Sequence, residues 1–219
     1  MKKILVVFIA LMAILCVACG SKPAEKPAAP AAPAAPAAAP AAAPAAAAVE
    51  APAFVQDPAA IPASDYSGDE KFLSANDLKT WTLMDRKDLD DGFYITANAE
   101  KNVVIQAQGS EVLTAADGQV FDKRISLGGS GGADFRSVYF TADKPGKAYI
   151  YLMSSSKTEA RTLLVSQSTP DGIVPVGQVI APIYDRKSVA IGVVEIPEAG
   201  EYYVASKKSG IYIYEILLR

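Results

Sequence analysis

The chain has 219 residues, with 21 Lys and Arg against 24 Asp and Glu, no histidine and two cysteines. The absence of histidine excludes Ser-His and Cys-His nucleophiles and zinc sites built on histidine. A slightly acidic balance excludes the basic excess typical of nucleic-acid binding. We therefore predict a protein that is not an enzyme, with no catalytic residues, no metal site, no cofactor and no nucleic-acid partner.

The N-terminus has the pattern of a bacterial signal peptide. Two lysines precede an apolar run over residues 4–17, which is shorter than the roughly 20 residues of a membrane-spanning helix. The sequence VACG at residues 17–20 then resembles a lipobox, in which the cysteine is acylated and becomes the first residue of the mature protein. We predict a lipoprotein signal peptide at residues 1–18 and a lipid-anchored Cys19. The alternative is a secreted protein with a cysteine near its cleavage site.

The residues after Cys19 indicate where the anchor resides. Gly20 and Ser21 follow with no aspartate. In a bacterium with two membranes, the sorting of lipoproteins then implies the outer membrane. The predicted location is therefore the cell envelope, facing the periplasm or the surface.

Residues 19–64 form an Ala/Pro-rich linker of low complexity. Proline at every third or fourth place removes backbone donors and clashes with the preceding turn of a helix. We expect a disordered, polyproline-like chain with no core of its own. At about 3.1 Å per residue, some thirty residues reach roughly 90 Å. This segment is either a tether for a folded head or a spacer without a selected length.

Residues 65–219 have a strand pattern that predicts an all-β fold, a single jelly-roll-like β-sandwich domain. Runs rich in Val, Ile, Tyr, Phe and Thr alternate with turn signals, and Ser74–Lys79 predicts a short helical turn. The predicted strands are 80–83, 93–97, 103–106, 120–126, 135–141, 148–153, 161–166, 173–180, 188–195, 202–205 and 211–217.

The last predicted strand has two different faces. In GIYIYEILL, Ile211 and Ile213 share one face, whereas Tyr212 and Tyr214 share the other. Two interpretations remain open for the tyrosines: they cover and stabilise a sheet face, or they form a platform on which sugar rings stack.

A glycine cluster and an acidic turn also need an interpretation. The glycines of GGSGG at residues 128–132 do not have dinucleotide-binding spacing, and we expect them to adopt positive φ in a bent connection. The acidic side chains of DRKDLDDG at residues 85–92 do not fall on the alternate positions of a calcium loop. This segment is interpreted as a solvated acidic turn, and the alternative is a looser calcium site at Asp88, Asp90 and Asp91.

Three arginines each follow an acidic residue at a spacing of two, at 122/124, 134/136 and 159/161. Residues two apart on a strand share a face, so the spacing predicts an ion pair at each position. The alternative is a shallow site for an anionic sugar, in which an arginine binds a carboxylate through two hydrogen bonds.

Three longer segments carry a family resemblance: FDKRISLGGSGGADFRSVYF, AYIYLMSSSKTEARTLLV and GEYYVASKKSGIYIYEI. They resemble the β-sandwich module at the C-terminus of some bacterial pectate lyases, over roughly residues 77–219. The resemblance implies a non-catalytic module associated with carbohydrate, and it does not carry over the lyase activity.

The leading hypothesis is therefore a lipid-anchored envelope protein with a carbohydrate-binding-like head. Its partners are the membrane, through acylated Cys19, and a polysaccharide. The alternative is a structural or adhesin-like envelope lipoprotein that binds another protein. The candidate carbohydrate-binding residues are Arg124, Arg136, Arg161, Lys207, Lys208, Tyr212 and Tyr214.

Overall fold

The structure, a computed structural model, describes Gly68 and residues 70–219. The predicted signal peptide, Cys19 and the linker over residues 19–64 lie outside the described residues.

The described residues form fifteen strands and no α-helix, which confirms the predicted all-β class. A single 3₁₀ turn, Ala75–Asp77, falls within the predicted helical turn. In chain order the strands are β1 (Lys71–Ser74), β2 (Trp81–Leu83), β3 (Lys87–Asp88), β4 (Tyr94–Thr96), β5 (Val103–Ala107), β6 (Leu113–Ala115), β7 (Val120–Phe121), β8 (Lys123–Leu127), β9 (Ser137–Ala142), β10 (Gly146–Ser154), β11 (Arg161–Thr169), β12 (Gly172–Ala181), β13 (Ser188–Ile196), β14 (Gly200–Ser206) and β15 (Ile211–Leu218).

Two sheets form the β-sandwich. The nine-stranded sheet has the order β2-β5-β8-β15-β10-β13-β6-β7, with β1 also paired to β15. The six-stranded sheet has the order β12-β11-β14-β9-β4-β3. Pairing is antiparallel except between β13 and β6. Over the described part of the chain, no helix is long and apolar enough to span a membrane.

The main core lies between the two sheets and is built from alternate residues of each strand. Ile211 and Ile213 of β15 face this core, as their spacing predicts. The register between β10 and β15 shifts after Tyr151, so β15 contains a bulge. The bulge returns Ile216 and Leu218 to the core face, because an extra residue reverses the two-residue alternation.

A second hydrophobic cluster covers part of the outer face of the nine-stranded sheet. The short strands β6 and β7 place Leu113 and Phe121 over Tyr149, Tyr151 and Tyr214. The phenol of Tyr151 donates a hydrogen bond of 2.5 Å to Asp117. These tyrosines stabilise a sheet face, which is the first of the two interpretations given above.

A third cluster is a row of tyrosines on the outer face of the six-stranded sheet. Tyr94, Tyr139 and Tyr203 lie opposite one another on β4, β9 and β14. The Tyr94 and Tyr139 rings are stacked at 4.3 Å, and the Tyr139 and Tyr203 rings are 5.1 Å apart. The guanidinium of Arg86 lies over the Tyr94 ring at 3.7 Å and closes the row.

This tyrosine row makes the stability of the fold sensitive to alkaline pH. Burial raises the pKa of Tyr139 to about 12, and burial is also the main cause that raises the pKa of Tyr94. A raised pKa in the folded state means that the neutral phenols stabilise the fold fully below the unfolded pKa of about 10. We expect the free energy of unfolding to fall as pH rises from about 10 to about 12, as measured by urea denaturation. The loss should be less steep for Tyr139→Phe, and equal slopes for the two proteins would contradict this account.

Candidate functional site

One end of the sandwich, here called the loop end, carries six connections between strands. Strands β2, β4, β8, β10, β12 and β14 end there, and each is followed by one of these connections. The connections are residues 84–86, 97–102, 128–136, 155–160, 182–187 and 207–210.

Hydrogen bonds between neighbouring connections hold the loop end together. The backbone N–H of Ser155 donates to the Gly210 carbonyl at 3.1 Å, and that of Tyr184 donates to Ser156 at 2.8 Å. On the other side, Gly131 donates to the carbonyl of Ser206 at 2.9 Å. The backbones of the connections 128–136, 155–160, 182–187 and 207–210 are therefore joined to their neighbours.

Three of the predicted site residues, Arg161, Lys207 and Lys208, line one groove at the loop end. The groove has a volume of about 760 Å³. Its remaining walls come from the start of β11 and from the connections at either side, namely Glu159, Ala160, Thr162 and Ser209. The sequence places these residues some 45 positions apart, and the pairing of β11 with β14 brings them together.

The guanidinium of Arg161 is fixed within this groove. Its Nη1 donates to the hydroxyl of Ser155 at 2.6 Å and to the carbonyl of Gly210. The backbone N–H of Lys207 donates to the Thr162 carbonyl at 3.0 Å, so the lysine connection is joined to β11. Both Lys207 and Lys208 are exposed. The groove thus combines one positioned guanidinium with two ammonium groups that are free to reach a ligand.

Arg136 occupies the glycine-rich connection and explains its composition. A Cβ at Gly129 would lie 2.5 Å from Nη1 of Arg136, and a Cβ at Gly131 would lie 2.3 Å from the Arg136 carbonyl oxygen. The positive φ expected for these glycines is wrong, because it is Arg136 that has a positive φ, of 51°. Gly131 is needed for close approach, since a side chain there would collide with the backbone of Arg136.

Arg124 lies on the outer face of the nine-stranded sheet, apart from the groove. Its guanidinium stacks over the Tyr212 ring at 4.0 Å, and Nη1 donates to the Gln108 side-chain oxygen at 2.6 Å. The amide oxygen of Gln106, oriented by the hydrogen-bond pattern, accepts from Nη2 and Nε at 2.8 and 3.0 Å. Tyr184 packs edge-on against Tyr212, with ring centroids 5.5 Å apart. Arg124 and Tyr212 thus lie on a rigid surface of aromatic rings, amides and one cation, here called the Arg124 and Tyr212 surface.

The two tyrosines of β15 differ in exposure. Tyr212 is half-buried beside Arg124, whereas Tyr214 is fully buried, with 0% exposure, and packs against Phe121. Burial raises the pKa of the Tyr214 phenol. The ring of Tyr214 is therefore closed off from the surface on which Tyr212 lies.

The three arginines do not pair with the acidic residues that precede them by two. Among the ion pairs of residues 70–219, none involves Arg124, Arg136 or Arg161. The prediction of ion pairs is wrong because each acidic residue lies in a connection rather than on a strand. The alternation that places residues two apart on one face applies only within a strand.

Metal chemistry finds no support in this part of the molecule. Within the described range, no group of three or more Asp, Glu, Cys or His residues is arranged to hold a metal ion. Asp88 ends the short strand β3, and Asp90 and Asp91 follow it. The carboxylate of Asp88 forms an ion pair with Arg86 at 2.8 Å.

Solved structures that resemble this chain include carbohydrate-binding modules, an adhesin domain and an isomalto-dextranase. The K2 cleaved adhesin domain of Lys-gingipain has 9% identity and a TM-score of 0.42, with 69% of this chain and 98% of that chain covered. The CBM51-2 and INT domains of ZmpB from Clostridium perfringens, solved with GlcNAc, have 10% identity and a TM-score of 0.36, with 68% of this chain and 32% of that chain covered. A family 29 carbohydrate-binding module from Piromyces equi has 9% identity and a TM-score of 0.34, with 68% and 90% covered.

No protein-family model and no curated protein matches the chain. The similarities to solved structures concern the arrangement of strands, and they assign no ligand to this chain. The resemblance to the module of pectate lyases stays a prediction.

Proposed function

We propose that this protein is a lipid-anchored bacterial envelope protein whose β-sandwich head binds a polysaccharide without transforming it. The observation that carries the proposal is the groove at the loop end. Arg161, at the start of β11, and Lys207 and Lys208, in the connection 207–210, converge there although they are distant in sequence. None of the three forms an ion pair within residues 70–219. The ammonium groups of Lys207 and Lys208 are exposed, whereas Nη1 of Arg161 already donates to Ser155 and Gly210.

The groove offers the groups that recognise sugars. The guanidinium of Arg161 places a positive charge in the groove, and Thr162 and Ser209 add hydroxyls that both donate and accept. The Arg124 and Tyr212 surface would supply further contacts, because an aromatic ring held by a cation is a rigid apolar face. Arg136 contributes mainly by shaping the neighbouring connection. The proposed surface does not include Tyr214, since its ring is buried.

The same groove argues against hydrolysis. Glycoside hydrolysis ordinarily requires two carboxyl groups flanking the bond that is cleaved. Of the residues that line this groove, Glu159 is the only acid. A single carboxylate without a partner supports binding rather than turnover.

The test is the retention of the full-length protein, purified in detergent, in gels that contain single soluble polysaccharides. The panel includes neutral polymers, such as dextran, and acidic ones, such as polygalacturonate. We expect at least one polymer to retard the protein, and Arg161→Lys to weaken that retention about tenfold, because an ammonium cannot keep the planar contacts with Ser155 and Gly210 that join the walls of the groove.

The matched control is Arg186→Lys, which makes the same change at the loop end outside the groove. Arg186 pairs with Glu111 at 2.9 Å, and a lysine can keep that pair. We expect retention of this variant to equal that of the wild type. If no polymer retards the wild-type protein at millimolar sugar concentration, the polysaccharide proposal fails and a protein partner becomes the better candidate.

A further inference from the structure

We infer that the ligand of the loop end is a polyanion, and that this end faces away from the point where the linker joins the head. The inference rests on the proposed function and deepens it, since it names the class of polymer. Three observations carry it: the distribution of charge between the two ends, the pattern of ion pairs, and the position of β1.

Charge differs strongly between the two ends of the sandwich. The six connections of the loop end contain eight basic and five acidic residues, and Arg161 adjoins them at the start of β11. The four turns of the opposite end are residues 89–93, 143–145, 170–171 and 197–199, and they contain five acidic residues and one basic residue. A chain with a net charge of −3 therefore presents a positive end and a negative end. Such an asymmetry attracts and orients an anionic partner.

The ion pairs increase this contrast. Near the opposite end, Lys71 pairs with Asp143, Lys147 with Glu195, and Arg219 with Glu70. At the loop end only Arg86 and Arg186 are paired. Seven cations there have no ion pair within the described part of the chain: Lys101, Arg136, Lys157, Arg161, Lys187, Lys207 and Lys208. The loop end thus carries more unpaired cations than the opposite end.

The position of β1 relates this charge to the rest of the chain. Lys71 pairs with Leu218, at the end of β15, whereas β15 begins at Ile211 beside the loop end. The continuous described part of the chain therefore begins, at Glu70, at the end opposite the basic groove. A linker attached there leaves the loop end unobstructed by its own attachment point.

A polymer with an acidic group on each sugar matches a surface with several unpaired cations better than a neutral polymer does. Each exposed contact contributes little by itself, but contacts repeated along one chain add together. Because the cations are exposed, the interaction must weaken as salt screens it. These two properties distinguish a polyanion from a neutral glycan that binds the same groove.

The experiment compares polygalacturonate with the same polymer after methyl esterification, which removes the charge and keeps the backbone. Full-length protein in detergent is titrated with each polymer. We expect binding to polygalacturonate to be at least about tenfold tighter, and to weaken at least about tenfold between about 50 and about 300 mM NaCl.

Two double variants locate the effect. Lys207→Glu with Lys208→Glu should weaken binding of polygalacturonate at least about tenfold. Lys144→Glu with Lys147→Glu makes the same change in net charge at the opposite end and should change it less than about twofold. Equal losses in the two variants would overturn the inference, as would equal affinity for the acid and the ester. In that last case the proposed polysaccharide binding would stand, whereas failure of both polymers and of the wider panel would remove both proposals.

Discussion

Truncation of Phe140 to alanine is expected to lower the free energy of unfolding by about 3–5 kcal/mol. Phe140 is fully buried, with 0% exposure, between the two sheets. Its ring stacks on Tyr202 at 5.6 Å and lies 6.4 Å from Phe93. The substitution removes apolar contacts and leaves a cavity that the rigid sheets cannot close, and both effects destabilise the fold. Urea denaturation followed by far-ultraviolet circular dichroism measures the change.

Trp81→Ala is the matched control for this substitution. This substitution removes an even larger ring, but Trp81 is half-exposed, at 50%, on the short outermost strand β2. We expect a loss below about 1 kcal/mol, in the range of surface substitutions and weak cation–π contacts with Lys87. If Trp81→Ala destabilised the protein as much as Phe140→Ala, the assignment of the main core would be wrong.

Replacement of Cys19 by alanine is expected to abolish acylation and to release the protein from the membrane. The sulfur of Cys19 is the only atom in the predicted mature chain that can carry a thioether-linked lipid, because the other cysteine, Cys16, lies in the leader. A tether without an acyl chain has no apolar segment of membrane-spanning length. Labelling of cells with palmitate, followed by separation of membrane and soluble fractions, measures both consequences.

Cys16→Ala provides the control for this prediction. Cys16 lies three positions before Cys19, so its loss keeps the sulfur that we expect to be acylated. Labelling and membrane association should therefore match the wild type. Labelling that persists in Cys19→Ala, or that disappears in Cys16→Ala, would contradict the assignment of the anchor.

Most of the fold could be predicted from the sequence, because the long strands are rich in β-branched and aromatic residues and end at clear turn signals. All eleven predicted strands are present, although Val120–Ser126 is divided at Asp122 into β7 and β8. The strands that were missed are β1, β3 and β6, of two to four residues. Such short segments carry no period, and they form because a longer neighbour offers an edge to pair with.

The candidate site was only partly predictable. The family resemblance, together with basic and aromatic residues in the same segments, indicated Arg161, Lys207 and Lys208, and the pairing of β11 with β14 unites them. Tyr184 and Gln108 were missed because they contact Arg124 across 60 and 16 positions of sequence and lie in segments without a strand pattern. The ion pairs predicted from the spacing of acid and arginine are absent from the described residues, because that prediction requires both residues of a pair to lie on one strand, whereas each acidic residue lies in a connection.

The most direct test of the account is a map of amide chemical shifts in the ¹⁵N-labelled protein as polygalacturonate fragments are added. If the groove at the loop end binds this polymer, we expect shifts centred on residues 159–162 and 206–210, with the turns at 143–145 and 197–199 unchanged. Shifts centred on those two turns, or the appearance of new reducing ends in the polymer during the titration, would contradict it.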